Sequence, residues 1–343
     1  MKKFFFYAAA AIVALASCSK TQVVYNDAPQ EIGFKAVTGA ITKAESEEPT
    51  TLSGNIDMGV FAFVHNGKAP YFENIKFTAN NNVWTGEPEQ YWPLQSSLDF
   101  VVYAPHGNVD NGYKASYADA DKVLTVANCD NSVNVTEGVA DIEDQTDYLY
   151  GAEYYDGADE KKEDGTTTAI GYKSGPVATS LKHALAKITI NFTGSNVTVN
   201  SVSLAAPHMK GTYTVDYSNP TNPEINWTSR TAWSNGNDIL LQLKQTGDVL
   251  AEAVKDESEN VIMAAKTATA SIMVVPADDS NILIKYTIKG TDDILDAEIP
   301  LTGTWASGTH YIYNIKISPN AIEFSAPTVA DWAGGAASNP TIQ

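Results

Sequence analysis

Cysteine is nearly absent: the 343 residues hold two, Cys18 and Cys129. A single thiol beyond the leader excludes an internal disulfide framework, so stability must come from packing. Histidine is scarce as well. His65, His106, His183, His208 and His310 are dispersed, with no H-E-x-x-H and no two at ligand spacing, which excludes the familiar zinc sites. No G-x-S-x-G, P-loop or G-x-G-x-x-G occurs, which removes the commonest hydrolase and nucleotide-binding signatures. Positive charge is short: 22 Lys and Arg stand against 41 Asp and Glu, for a net charge of −19. Such a chain does not seek nucleic acid or an anionic membrane surface. Carboxylate pairs arise in any chain this acidic, so they give no glycosidase signal. The residues read as those of a protein that is not an enzyme and needs neither cofactor nor metal.

No apolar run after residue 18 is long enough to span a bilayer. The one before it reads as a leader. Lys2 and Lys3 form a positive start, Phe4–Ala16 is apolar, and the run ends in Leu15-Ala16-Ser17-Cys18, a lipobox. Residues 1–17 are thus expected to be a lipoprotein signal peptide, with Cys18 as the lipidated residue and the protein anchored to the membrane rather than spanning it. Cys129 reads as a small buried hydrophobe.

What the chain has in abundance is strand material. Hydrophobic residues make up 43%, and Thr, Val, Ile and Tyr recur in short runs bounded by Asn, Gly, Pro or Asp. Runs such as "MGVFAFV", "LDFVVYA", "ILIKYTI" and "HYIYNIKIS" predict an all-β protein. A Gly/Pro/Ser-rich passage, Gly171–Ser180, divides two blocks of strands, which predicts two β-sandwich domains in tandem. The expected organisation is a lipidated tether with a first strand over 18–43, one sandwich over 44–175, a second over 176–318 and an extension over 319–343. Val249–Lys266 is the lone helix-compatible stretch. The acidic residues 141–165 lack the spacing of a calcium loop and read as a solvated excursion. The six tryptophans fall mostly at strand ends, where core plugs and corners need them, and His183 reads as a packed structural histidine.

One pattern occurs twice. "EIGFKAVT" (Glu31–Thr38) places Ile32, Phe34, Ala36 and Thr38 at every second position, and "AIEFSAPT" (Ala321–Thr328) repeats them as Ile322, Phe324, Ala326 and Thr328. Alternation of period two puts each set on one face of a strand. Two strands that present the same side chains can occupy the same groove. The second can also be the last strand of its own domain.

The lipobox, "EIGFKAVTGAITKA", "QYWPLQSSLDFVVYAP", "TDYLYG", "LKHALAKITINF", "GTYTV", "IMVVP" and "GTHYIYNIKI" follow one another in an order that resembles the fimbrillin (Mfa-like) family of Bacteroides-group bacteria, the lipoprotein-derived pilins of type V pili. The resemblance implies two transthyretin-like β-sandwich domains, export as a lipoprotein and removal of the lipidated segment with its first strand by a trypsin-like protease. It further implies polymerisation by donor-strand exchange with other fimbrial subunits, moving the protein from the outer membrane to a surface fimbria. Family members often carry Arg at the cleavage site; here the nearest basic residue is Lys43, with Lys35 a poorer choice inside the strand. On this reading Ile32, Phe34, Ala36 and Thr38 are the displaced strand, and Ile322, Phe324, Ala326, Thr328 and Trp332 belong to the donor. The alternative is a non-polymerising surface lipoprotein or tip adhesin that binds glycans on a host or bacterial surface through exposed tryptophans.

Overall fold

The computed structural model describes residues 29–38, 50–51, 56–65, 67, 69–93, 96–107, 113–132, 139–154, 160–161, 167–168, 176–233 and 237–332. Strands supply nearly all regular structure there; Ile142–Asp144 is a 3-10 turn capped by the Asp141 side chain. The protein is all-β among the described residues.

The N-terminal half builds an eight-stranded sheet that closes on itself. The central strands are apolar on consecutive residues. Met58–Val64 and Leu98–Ala104 bury both faces, one inside the ring and one outside it, which is why both read as unbroken hydrophobic runs. Closure is made by the first strand, Gly33–Thr38. On one side it runs antiparallel to Val83–Glu87 and Thr50–Thr51; on the other it runs parallel to Val177–His183 over Phe34–Thr38. Inside lie Met58, Val60, Phe77, Trp84, Phe100, Val102, Leu149 and Leu181, packed around Ile32, Phe34 and Ala36.

The outer face of the ring packs on a second, four-stranded sheet. Phe61, Val101, Tyr103 and Tyr150 meet Leu124, Val126, Tyr213 and Trp227 in one core. That sheet joins Lys114–Ala118 and Val123–Asp130 to His208–Asp216 and Glu224–Ala232. Cys129 sits in the same core as a free thiol, and burial pushes its pKa far above the usual thiol range. The remaining strands form a sandwich. Ala186–Gly194, Ala268–Val274 and Thr309–Ser318 make one layer, and Val197–Leu204, Asp278–Ile288 and Ile294–Thr304 make the other. Ile188, Ile190, Phe192, Val202, Ile284 and Ile315 fill the space between them.

Hydrogen-bonded sheets run across the expected 175/176 boundary. Val177–His183 belongs to the N-terminal ring, and the hairpin 208–232 leaves the second block of strands to pair with Val123–Asp130. The helix-compatible stretch 249–266 is not helical. It forms a hairpin in which Val254–Lys255 pairs with Val261–Met263. The Asp256 carboxylate accepts from the backbone N–H groups of Ser258 and Asn260 at 2.8 and 2.9 Å, a turn that competes with helix geometry.

Candidate functional site

The first strand occupies a groove built for its alternation. Ile32, Phe34 and Ala36 are fully buried while Glu31 and Lys35 point to solvent. Phe34 makes edge-to-face contacts with Phe77 (5.2 Å, 84°) and Phe100 (5.1 Å, 89°). Gly33 lets the strand approach its neighbours closely: a Cβ there would stand 3.3 Å from Cγ1 of Val83. The backbone is held at its entry as well. Ile32 N–H donates to Gln90 O at 2.7 Å, and Trp92 N–H donates to Gln30 O at 2.9 Å. Thr38 closes the strand, its backbone set between Leu181 and Thr50. Burying an Ile and a Phe contributes roughly 1.5–3 kcal/mol each. Without this strand the ring would be open, with two unpaired edges and an apolar interior facing water.

Cys18 and Lys43, the expected lipidation and cleavage positions, lie outside the described residues. Lys35 is exposed but lies inside the parallel ladder, opposite Ala178.

The C-terminal segment lies on the sandwich of its own chain. Ala321–Phe324 and Thr328–Asp331 both pair antiparallel with Thr309–Ser318. Between them Ser325, Ala326 and Pro327 face two residues, Tyr313 and Asn314, so the segment carries one extra residue at this point. Pro327 has no N–H for the ladder, which accounts for the break. The slip changes which side chains share a face. Ile322 and Phe324 stand opposite Ile317 and Ile315, both in the sandwich core, and Phe324 stacks on Tyr313 at 6.0 Å. Beyond the break Val329 stands opposite Tyr311, on that same side, while Thr328 stands opposite Ile312 on the other. Burial here is shallow. Ile322 is half-buried, Phe324 is 39% exposed, and Ala326 and Thr328 are exposed.

Trp332 ends the segment differently, buried against His183 of the ring. His183 itself is buried, and its Nδ1 lies 2.7 Å from Asp147 Oδ2. This is the packed structural histidine expected from sequence. Asp147 comes from the acidic stretch 141–165, of which Asp141 and Glu143 also pair with Lys244. No group of three or more His, Cys, Asp or Glu stands ready for a metal ion among the described residues. Trp84, Trp92, Trp227, Trp305 and Trp332 are buried and Trp233 is half-buried against the sandwich core, which leaves no tryptophan platform for stacking sugars. Sequence reasoning missed Val177–His183 as the partner of the first strand. Its alternation of Val177, Thr179, Leu181 and His183 inward was the available signal.

The pattern that describes the fimbrillin-like family matches residues 42–332. No match is found among curated proteins. Among solved structures, a protein assigned to cell adhesion from Bacteroides ovatus is similar with a TM-score of 0.51 at 17% identity, over 89% of this chain and 99% of that one. A counterpart from Bacteroides uniformis gives 0.48 at 18% identity, over 88% and 98%. The C-terminally truncated tip fimbrial protein Mfa3 from Porphyromonas gingivalis gives 0.45 at 11% identity, over 89% and 100%.

Proposed function

Because this chain belongs to the fimbrillin-like family, we propose that it is a fimbrial subunit that polymerises by exchanging its first strand for one from a neighbour. In this reading it is exported as a lipoprotein anchored in the outer membrane through Cys18. A trypsin-like protease then cuts at Lys43, and residues 18–43 leave with the lipid. The emptied groove accepts the 319–343 extension of another subunit, building a surface fimbria for adhesion. The observation that carries the proposal is the contrast between the two matching strands. Ile32 and Phe34 are fully buried in a ring that needs them, whereas Ile322 and Phe324 lie at a shallow edge of their own chain. Moving the second pair into the groove of the first would bury more apolar surface, and main-chain pairing would be kept.

The competing reading is a non-polymerising surface lipoprotein, and the in-chain pairing of 321–331 is what favours it. Trypsin treatment of the purified precursor separates the two. Exchange predicts a heat-sensitive ladder of oligomers on gels, abolished by deletion of 321–343 from a monomer that still folds. Cleaved protein that stays monomeric would overturn the exchange reading.

A further inference from the structure

A cavity of about 710 Å³ opens beside the four-stranded sheet, between the end of that sheet and the residues that follow Leu98–Ala104. Its volume lies within the range of small-molecule sites, roughly 300–1,000 Å³. The backbone around it is irregular in a coordinated way. Strand His208–Asp216 is flanked on both sides by β-bulges at consecutive residues. Ala127 and Asn128 bulge opposite Thr212, and Ser229 and Arg230 bulge opposite Gly211. Asn128 (φ 58°) and Ser229 (φ 52°) both adopt the left-handed conformation, and both line the cavity. Serine rarely takes this conformation, and such backbone persists where its surroundings impose it, most often at functional sites. Gly211 is held close by Trp227, whose ring would stand 2.9 Å from a Cβ, so a larger residue between the bulges would force a shift.

The chemistry of the lining selects a ligand class. The charges are balanced: Lys210 Nζ lies 2.6 Å from Asp130 Oδ2. Thr146, Thr212, Ser229 and Thr231 add four hydroxyl groups, beside His106, Asn128 and Pro105. Two tyrosine rings, Tyr113 and Tyr148, stand 5.7 Å apart in the same lining, and the Tyr148 hydroxyl accepts from Asp130 N–H at 2.8 Å. An anion would meet Asp130 and a cation Lys210, each displacing an existing pair. An apolar guest would leave the hydroxyls and the ion pair without water or partners. A neutral molecule rich in hydroxyls satisfies both, donating to and accepting from the Ser and Thr groups.

We propose that this cavity is a saccharide-binding site for the uncharged end of a glycan. It is separate from the groove of the first strand and does not depend on polymerisation. The site uses Ser and Thr hydroxyl groups at a bulged sheet.

The test is saturation-transfer NMR on the intact precursor with galactose, glucose, N-acetylglucosamine and fucose at millimolar concentration. N-acetylneuraminic acid and cyclohexanol serve as charged and apolar controls. At least one neutral sugar is expected to give a saturable signal that both controls lack. Thr212→Trp, which fills the cavity from a half-buried position on the strand, should weaken that binding about tenfold or more, equivalent to about 1.4 kcal/mol or more, with little change in the thermal midpoint. Ser229→Gly removes the hydroxyl and relieves the backbone, so it should bind more weakly while folding at least as well. The proposal is overturned by the absence of any sugar signal, by equal binding of either control, or by sugar binding that Thr212→Trp and Ser229→Gly leave unchanged.

Discussion

Trp332 lies flat on His183, with ring centres 3.9 Å apart and planes within 1° of parallel. The contact joins the end of the C-terminal segment to Val177–His183, the strand whose parallel ladder holds the first strand in place. Both matching segments therefore report to one strand. Lys187 Nζ stands 5.9 Å from the centre of the Trp332 ring, and burial, opposed in part by Asp147, lowers the Lys187 pKa. Elsewhere the side chains of Thr328–Asp331 are exposed, so Trp332 is the one deep anchor of that strand.

Trp332→Ala is accordingly expected to loosen the segment locally. Amide exchange at Val329–Asp331 should speed up by at least about tenfold, the local-opening signature, with only a small change in the global unfolding midpoint. Hydrogen-exchange mass spectrometry on peptides spanning 321–332 checks this; unchanged protection would show that the ladder to Thr309–Ile312 suffices alone.

Phe34→Ala should be among the most damaging single changes. It removes a fully buried ring that touches Phe77 and Phe100, and large-to-small changes of this kind cost about 3–5 kcal/mol. Lys35→Ala, one residue along the same ladder but exposed, should stay within about 0.5 kcal/mol of the parent. Equilibrium denaturation of the two variants measures the difference, and equal small losses would mean the ring does not need its first strand.

The alternation of Ile32, Phe34 and Ala36 was legible because period two makes half-buried strands visible without any partner. The ring was not. Its closing contact pairs Phe34 with Val177 in parallel, and a parallel neighbour so far along the chain leaves no turn signature beside it. For the same reason the Gly/Pro/Ser passage Gly171–Ser180 reads as a domain boundary, although the strand that begins within it at Val177 returns to the first sheet. The two bulges beside Gly211 were illegible too, since neither Asn128 nor Ser229 stands in a turn motif. The match between "EIGFKAVT" and "AIEFSAPT" is a match of straight strands, whereas the second bends at Pro327 within its own chain.

That bend yields a paired prediction. In the in-chain seat Val329 shares the side of Phe324, but in a straight strand Thr328 would share it instead. Val329→Asp, at a position 57% exposed, is expected to speed amide exchange of the segment modestly while Trp332 still holds it, and to leave the oligomer ladder intact. Thr328→Asp should leave the monomer's exchange pattern unchanged and weaken the ladder after trypsin treatment. The reverse assignment would show that the segment keeps its bend when it binds a neighbour.

Acid should act on the same edge through His310. Its Nε2 is 2.9 Å from Thr189 Oγ1, its backbone stands opposite Lys187 on one side and Ala330 on the other, and it faces no carboxylate in these contacts. Burial, reinforced by the Lys187 charge, pushes its pKa down to about 4 from an ordinary 6.5. Between those values the unfolded chain binds a proton that the folded chain resists, so stability falls as pH drops from 6.5 toward 4 and then levels off for this group. His106 and His208 are lowered by burial as well and add to the same slope. Because the His310 ring is partly solvated, its own share is on the order of 1 kcal/mol rather than the full value of the shift. His310→Gln can keep a hydrogen bond to Thr189 and removes the titration. Denaturation midpoints of parent and variant should therefore agree at pH 7.5 and separate by pH 5, with the variant the more stable; curves that stay parallel across that window would exclude His310 as the source of acid sensitivity.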